Sequence, residues 1–212
     1  MCFSATASFV ASGVLSAIGL ATLHVNKKAS YLMLALTPLL FAIQQTAEGI
    51  VWLTIASPQS PLCQTATYLF LTFAGIIWPL WGPIAVLEAE INPGRRTILK
   101  GLTGVGALVS GYMLWTFLSG PVTAQVTSSS ITYNFVPAPN LNVFLGVGLY
   151  TIAAVIPCFV SSLKYGWLLG SSWLVALAVT LIFKYQATTS VWCFFAAVLS
   201  VLIFVVVKRN QF

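Results

Sequence analysis

The sequence contains seven long runs of apolar residues that are nearly free of charged side chains. Of its 212 residues, 59% are hydrophobic and 6% are charged, and the acidic residues are Glu48, Glu88 and Glu90. A soluble domain needs roughly 25% charged residues to cover its surface in water. The sequence therefore predicts a protein whose solvent is lipid, and it excludes a soluble domain, a disordered chain and a disulfide-rich secreted scaffold.

Each apolar run is long enough to cross a bilayer, because about 20 apolar residues in an α-helix span the hydrocarbon core. The strands of a membrane β-barrel would instead alternate polar and apolar residues. We expect an all-α, polytopic bundle of seven transmembrane helices that forms one domain over residues 1–212, with an outer loop at 119–140. The expected helices lie at about 4–23, 31–55, 65–88, 98–118, 141–163, 166–183 and 189–207.

The cations predict how this bundle is oriented. If the helices alternate in direction, all Lys and Arg residues except Lys184 fall on one side of the membrane. These are Lys27, Lys28, Arg95, Arg96, Lys100, Lys164, Lys208 and Arg209. The positive-inside rule places this side in the cytoplasm, so we expect the N-terminus outside and the C-terminus inside. The net charge of +6 then meets anionic lipid headgroups of the bilayer, and we expect no nucleic-acid partner.

Helix 2 carries the strongest candidate for a polar site. Gln44, Glu48 and Trp52 are spaced four residues apart and share one helix face, and Gln45 lies beside them. A carboxylate within a membrane span is costly and usually faces the bundle interior or a wet cavity. The pattern indicates either a carboxylate that binds a proton or a ligand, or a protonated Glu that only joins helices by hydrogen bonds.

Helix 3 contains two prolines, Pro79 and Pro83, next to Trp78 and Trp81. Each proline removes a backbone donor and bends the helix, and the freed carbonyls need partners in the protein interior. The segment predicts either a kink that opens a pocket walled by the two tryptophans, or a packing kink with the tryptophans at the membrane interface. The second interpretation is the simpler one.

Three further features have a plainer interpretation beside a functional one. Glu88 and Glu90 lie near Arg95 and Arg96, which predicts exposed ion pairs. Lys184 is the isolated outer cation, and it either pairs with Glu48 or extends to the headgroups. The outer loop favours turns and strands over residues 127–136, which predicts a short hairpin over the bundle.

The cysteines and the histidine suggest little metal chemistry. Cys2 and Cys193 both map to the outer end, where we expect them to lie near each other. Thiolates suit a soft metal ion, and buried, inert thiols are the alternative. His24 is the single histidine, which is too few for a seven-helix zinc hydrolase. The residues identify no cofactor.

Five short segments form a recognisable combination, and together they resemble a family of small bacterial seven-helix membrane proteins of unknown function that begin with Met-Cys-Phe-Ser. The segments are 1–5, 44–52, 78–83, 157–162 and 190–195. The resemblance implies the seven-helix fold and a place in the bacterial inner (plasma) membrane, and it implies no activity. By position it singles out Cys2, Gln44, Gln45, Glu48, Trp52, Trp78, Trp81 and Cys193.

Three functions remain open at this point. The first is binding or transport of a small molecule or ion in an outer-facing polar pocket around Glu48, with proton coupling as an option. The second is a thiol- or metal-dependent membrane enzyme that uses Cys2, Cys193 and Glu48. The third is a structural or assembly subunit. We prefer the first because a single isolated carboxylate requires fewer assumptions than an incomplete catalytic set.

Overall fold

The computed structural model describes residues 4–127, 130–136, 142–184 and 188–211. Within these ranges seven side chains are not described. They belong to Val143, Phe183, Lys184, Thr188, Cys193, Ala196 and Val198. The described chain is mostly helical, with one antiparallel pair of strands.

The helices follow one another with short connections. In chain order the helices and strands are α1 Ala5–Val25, a 3-10 turn Ala29–Tyr31, α2 Leu32–Thr54, α3 Pro61–Leu71, a π-helical segment Thr72–Ile77, α4 Trp78–Ala89, α5 Pro93–Ser119, β1 Val122–Thr127, β2 Ser130–Phe135, α6 Val143–Ala154, α7 Ile156–Val160, α8 Gly166–Lys184, α9 Thr188–Val198 and α10 Ser200–Arg209.

Four helical stretches of the described chain are long and apolar enough to cross a membrane. They are Ala5–Val25, Ala29–Thr54, Pro61–Ala89 and Pro93–Ser119. Two shorter apolar stretches, Phe144–Val160 and Gly166–Ile182, follow them. The helical class is confirmed and the composition indicates a membrane protein, whereas the number of seven spans and their orientation stay predictions.

Two helices begin earlier than the apolar pattern predicts, and both starts have the same local cause. Ser60 accepts a hydrogen bond from the Cys63 N–H, and Pro61 occupies the first turn of α3. Asn92 accepts one from the Arg95 N–H, and a proline again follows the cap. A capping side chain and a proline with no N–H to satisfy together favour a helix start at that point.

Helix α2 is the central element of the bundle. In the most apolar part of the stretch Ala29–Thr54, 67% of the residues are buried. The corresponding share is 28% for Ala5–Val25 and 22% for Pro93–Ser119. Helix α1 packs closely along α2 because the Ser12 hydroxyl donates to the Ala42 carbonyl at 2.9 Å. Polar groups on α2 are therefore enclosed by protein, and α1 and α5 lie toward the outside of the bundle.

The hairpin of β1 and β2 covers the end of the bundle where α2 finishes. The strands pair antiparallel from Val122 opposite Phe135 to Thr127 opposite Ser130. The hairpin thus begins before the predicted segment 127–136, and residues 128–129 lie outside the described chain. A two-stranded hairpin is only marginally stable alone. Here it is held by packing, for example by Tyr133 on Phe70, with ring centroids 5.2 Å apart.

Two loops that carry lysines and the basic end of α10 meet at the opposite end of the bundle. The Lys27 N–H donates to Gln211 Oε1 at 2.7 Å, and Lys28 Nζ donates to the Asn210 carbonyl at 2.9 Å. The Lys164 N–H donates to Asn210 Oδ1 at 3.0 Å. The loop after α1, the loop after α7 and the end of α10 therefore lie together at what we call the basic end.

Glu90 is not part of an exposed ion pair, so that expectation is wrong. The residue is 2% exposed, and its carboxylate accepts hydrogen bonds from Ser162 Oγ at 2.7 Å and the Ser162 N–H at 2.6 Å. The backbone N–H groups of Ile91 and Asn92 also donate to it. Arg96 instead donates to the backbone carbonyl of Glu90, at 2.7 Å. Glu90 therefore fastens the α4–α5 loop to the α7–α8 loop at the basic end.

These donors set the ionisation of Glu90. Burial raises the pKa of the carboxyl, but the hydrogen bonds from Asn92, Ser162 and Ile91 outweigh burial, so the pKa lies below its ordinary value of 4.5. We predict that Glu90→Gln lowers the free energy of unfolding by about 1–3 kcal/mol, because a charged acceptor is lost and buried donors remain. The melting temperature of the purified protein in detergent measures this effect. The exposed Glu88→Gln is the matched control and should change stability by less than about 0.5 kcal/mol.

The same substitution has a defined pH dependence. The pKa of Glu90 is lower in the folded state than in the unfolded chain. Its contribution to stability is therefore fully present above pH 4.5 and is lost as the pH falls through the folded-state pKa. The melting temperatures of wild type and Glu90→Gln should therefore converge below that pH. A difference that persists unchanged in acid would contradict this account of Glu90.

Candidate functional site

One face of α2 carries the candidate site. Its residues are spaced alternately three and four apart, which aligns their side chains along the helix. All six are between 0 and 5% exposed: Leu34, Thr37, Phe41, Gln44, Glu48 and Val51. Going from the basic end to the hairpin end, this face changes from aliphatic and aromatic side chains to an amide and a carboxyl group.

Glu48 lies inside the bundle and contacts α9. The Ser190 hydroxyl donates a hydrogen bond to Glu48 Oε1, and both residues are fully buried. Lipid cannot solvate a carboxyl group, so a position in the interior is what the sequence predicts for Glu48. Ser190 could not be predicted as the partner of Glu48, because a serine at the start of a helix is common and the two residues are 142 positions apart.

Gln44 and Thr37 connect α2 to α4. Trp78 Nε1 donates to Gln44 Oε1 at 2.7 Å, and Trp81 Nε1 donates to Thr37 Oγ1 at 3.0 Å. The contacts run from Gln44 back to Thr37 along α2 but from Trp78 forward to Trp81 along α4, so the two helices are antiparallel. Both indoles thus bond to α2, which agrees with the alternative in which a kinked helix presents them to an internal space. Their position relative to the membrane interface stays a prediction.

Several buried polar atoms near Glu48 have no hydrogen-bond partner among the described residues. They include Gln44 Nε2, both amide atoms of Gln45, and Trp52 Nε1. Gln45 is fully buried, so water from outside the bundle does not reach its amide directly. Buried polar atoms of this kind commonly bond to an internal water or an ion. The segment of α2 around Glu48 is therefore able to hold polar species inside the bundle.

The π-helical segment ends at Trp78 and leaves one backbone carbonyl without its usual donor. The Trp78 N–H bonds to the Phe73 carbonyl, five residues back. In the same pattern the Ala74 carbonyl would pair with residue 79, but Pro79 has no N–H. The Tyr150 hydroxyl of α6 replaces that missing donor and bonds to the Ala74 carbonyl at 2.8 Å. Proline and the irregular turn are thus compensated by a side chain from another helix, as a membrane interior requires.

The second proline produces a close helix contact. Pro83 leaves the carbonyl of Pro79 without its helical donor. A Cβ atom added to Gly106 of α5 would lie 2.0 Å from this carbonyl oxygen, so only glycine fits there. The Ser110 hydroxyl, one turn along α5, donates to the Ile76 carbonyl at 2.7 Å. Helix α5 therefore holds the irregular segment in place from the side opposite the site.

An aromatic cavity lies beside the site. Its volume is about 50 Å³, measured as the space open to the centre of a water-sized sphere. Six aromatic residues line it, from five different helices: Phe41, Trp78, Trp81, Tyr150, Trp173 and Trp192. Glu48, Gln44 and Gln45 are not among its lining residues. The sequence predicted a polar pocket around Glu48, whereas the cavity is aromatic and lies on the same α2 face, nearer the basic end.

Two of the predicted contacts involve residues outside the described part of the structure. Cys2 and the side chains of Cys193 and Lys184 are not described. The expected proximity of Cys2 to Cys193 and the pairing of Lys184 with Glu48 therefore stay predictions. Among the described residues, no group of three or more His, Cys, Asp or Glu is placed to hold a metal ion. Cys63 and Cys158 are buried free thiols, and Cys158 lines the aromatic cavity.

Comparison with known proteins identifies a family. A family model described as "Family of unknown function (DUF6629)" matches residues 1–212. This match confirms the resemblance inferred from the short motifs to an uncharacterised family. No curated protein and no solved structure matches the chain.

Proposed function

The chain belongs to this DUF6629 family of unknown function, and we propose that it is an integral membrane protein that binds a proton or a small ligand at Glu48. The observation that supports the proposal is the position of Glu48, fully buried and hydrogen-bonded to Ser190 on a central helix. An ionisable group inside a membrane bundle is costly to retain, and such groups mark ion and proton paths in many membrane proteins.

The neighbouring groups suit proton exchange. A serine hydroxyl both donates and accepts hydrogen bonds, so Ser190 can pass a proton to or from the Glu48 carboxyl. The Gln44 and Gln45 amides supply further donors and acceptors within one turn of α2. Internal waters held by these amides would extend the path. The site therefore combines a proton-carrying group with polar neighbours in an otherwise apolar interior.

The proposal includes seven membrane spans with the N-terminus outside. Its support is that the loops with cations meet at the basic end, while the hairpin lies at the other end near Glu48. By the positive-inside rule the basic end faces the cytoplasm. Glu48 then lies in the outer half of a bacterial inner membrane, beneath the hairpin.

A structural subunit is the competing function that a specific observation favours. The Ser190–Glu48 hydrogen bond joins two helices far apart in sequence, which is also what a purely structural Glu would do. The enzyme hypothesis needs Cys2 and Cys193, and the described residues add no support for it. A measurement of proton movement, rather than of stability, therefore distinguishes the proton-binding role of Glu48 from the structural one.

Reporter fusions test the proposed orientation. A fluorescent protein fused after Phe212 should fluoresce, and alkaline phosphatase at the same point should be inactive, because the basic end faces the cytoplasm. The same two reporters inserted between residues 128 and 129, in the hairpin, should give the opposite result. Active phosphatase at the C-terminus would show that the orientation is reversed.

Proton flux tests the role of Glu48. Purified protein is reconstituted into vesicles that contain a pH-sensitive dye, and a pH gradient is imposed. We predict faster dissipation than in protein-free vesicles for the wild type and for Glu88→Gln, whose carboxyl is exposed. Glu48→Gln should fall to the protein-free rate, because an amide can accept the Ser190 hydrogen bond but cannot carry a proton.

Melting temperatures make the flux comparison interpretable. Glu48→Gln should melt within a few degrees of the wild type, since the helix contact is retained. Wild-type flux equal to that of empty vesicles, or unchanged flux in a folded Glu48→Gln protein, would contradict the proton proposal and support the structural role.

A further inference from the structure

We infer that the aromatic cavity is a second binding site, separate from Glu48, and that it takes a small, neutral, apolar molecule. The inference does not depend on proton binding at Glu48, because neither Glu48 nor Ser190 lines the cavity. It depends on three properties of the lining: which polar groups are already used, how the rings are held, and how much space is left.

Three of the polar groups around the cavity are already bonded to other parts of the protein. Trp78 Nε1 bonds to Gln44, Trp81 Nε1 bonds to Thr37, and the Tyr150 hydroxyl bonds to a backbone carbonyl. The Thr37 hydroxyl itself donates to the Met33 carbonyl at 3.1 Å. A ligand therefore meets ring faces and edges rather than free hydrogen-bonding groups.

The remaining lining residues confirm this character. The indole nitrogens of Trp173 and Trp192 have no hydrogen-bond partner among the described residues, but both atoms are buried and are not exposed to the cavity. The described residues that line the space include no Lys, Arg, Asp, Glu or His. A charged or strongly polar ligand would lose its hydration without compensation. An apolar molecule loses nothing comparable and gains dispersion contacts with the rings.

The rings are held in fixed positions before any ligand binds. Phe41 stacks on Trp78 with ring centroids 3.9 Å apart, and Tyr150 meets Trp192 edge-on at 5.2 Å. The hydrogen bonds of Trp78 and Tyr150 further fix these side chains. A preformed wall spares the ligand the cost of ordering flexible side chains, which favours binding of even a very small molecule.

The volume limits the ligand to a few heavy atoms. A single water needs about 10–15 Å³ on this measure, and an engineered apolar cavity of about 150 Å³ accommodates benzene. The 50 Å³ here is between these values, so the occupant is smaller than a benzene ring. Ligands of this size bind weakly, with a Kd on the order of 0.1–1 mM.

A lipid acyl chain offers the same apolar chemistry, but the cavity favours a free molecule. Its aromatic walls come from α2, α4, α6, α8 and α9, so it lies within the bundle rather than on its lipid-facing surface. An acyl chain would have to pass between these helices to reach it. The experiment below separates the two occupants.

Quenching of tryptophan fluorescence by dibromomethane tests the site. Dibromomethane is a neutral, apolar molecule smaller than benzene, and its bromine atoms quench indoles on contact. The parent protein carries Trp115→Phe and Trp167→Phe, which remove two tryptophans that are 56% and 62% exposed. The four indoles of the cavity and Trp52 remain. We predict saturable quenching of this parent protein in lipid nanodiscs, whereas dibromomethane dissolved only in lipid would quench linearly.

Two matched variants locate the saturable component. Ala154→Leu adds volume at a residue that lines the cavity and should weaken dibromomethane binding by about tenfold or more. Gly148→Leu adds a leucine to the same helix where nothing lies within 4 Å, and it should leave binding unchanged. Equal effects of both variants, or none, would overturn the assignment. If Ala154→Leu does not fold, linear quenching of the parent protein alone would do so.

Nanodiscs made with brominated acyl chains distinguish the lipid alternative. Bromine on a chain that enters the cavity would quench its indoles, and dibromomethane would then add no saturable component. We expect little quenching of the parent protein by these lipids and an undiminished response to dibromomethane. Strong quenching by the lipid would overturn the free-molecule proposal, and it would leave the proton-flux prediction for Glu48 untouched.

Discussion

Lipid offers no hydrogen bonds, and this constraint accounts for most of what is unusual in the structure. A carboxyl, an amide or a carbonyl released by proline must find its partner inside the protein. Glu48 therefore faces the interior and contacts Ser190, and Gln44 accepts from Trp78. These contacts connect α2 to α9 and to α4. A few polar side chains thus join apolar helices that are far apart in the sequence.

The constraint also explains how an irregular helix becomes part of a site. Pro79 and the π-helical turn free the Ala74 carbonyl, and Tyr150 supplies the replacement donor. That bond places the Tyr150 ring at the cavity wall, where Trp192 meets it edge-on. The same contacts of Tyr150 therefore satisfy the free backbone carbonyl and form part of the wall of the aromatic cavity. A strictly regular α-helix would offer no free carbonyl to Tyr150 at this point.

Local patterns allowed part of this structure to be predicted, and long-range contacts did not. Runs of apolar residues indicate membrane helices, and the spacing of Gln44 and Glu48 indicates a shared face, because both depend on neighbours along the helix. Glu90 was misassigned because its partner, Ser162, is distant in sequence. The sequence offered a pocket walled by Trp78 and Trp81 as one alternative, but it did not predict the other aromatic walls, because they come from four further helices. The π-helical turn before Trp78 was likewise not predicted.

The most direct test of the account is an experimental density map of the protein in a lipid nanodisc, read at Glu48. We expect the Glu48 carboxyl in the bundle interior, in contact with the Ser190 hydroxyl and within one turn of a Gln44 amide bonded to Trp78. Density for ordered water or an ion beside the Gln45 amide would agree with a polar site. A Glu48 side chain directed toward lipid, or α9 separated from α2, would contradict the account.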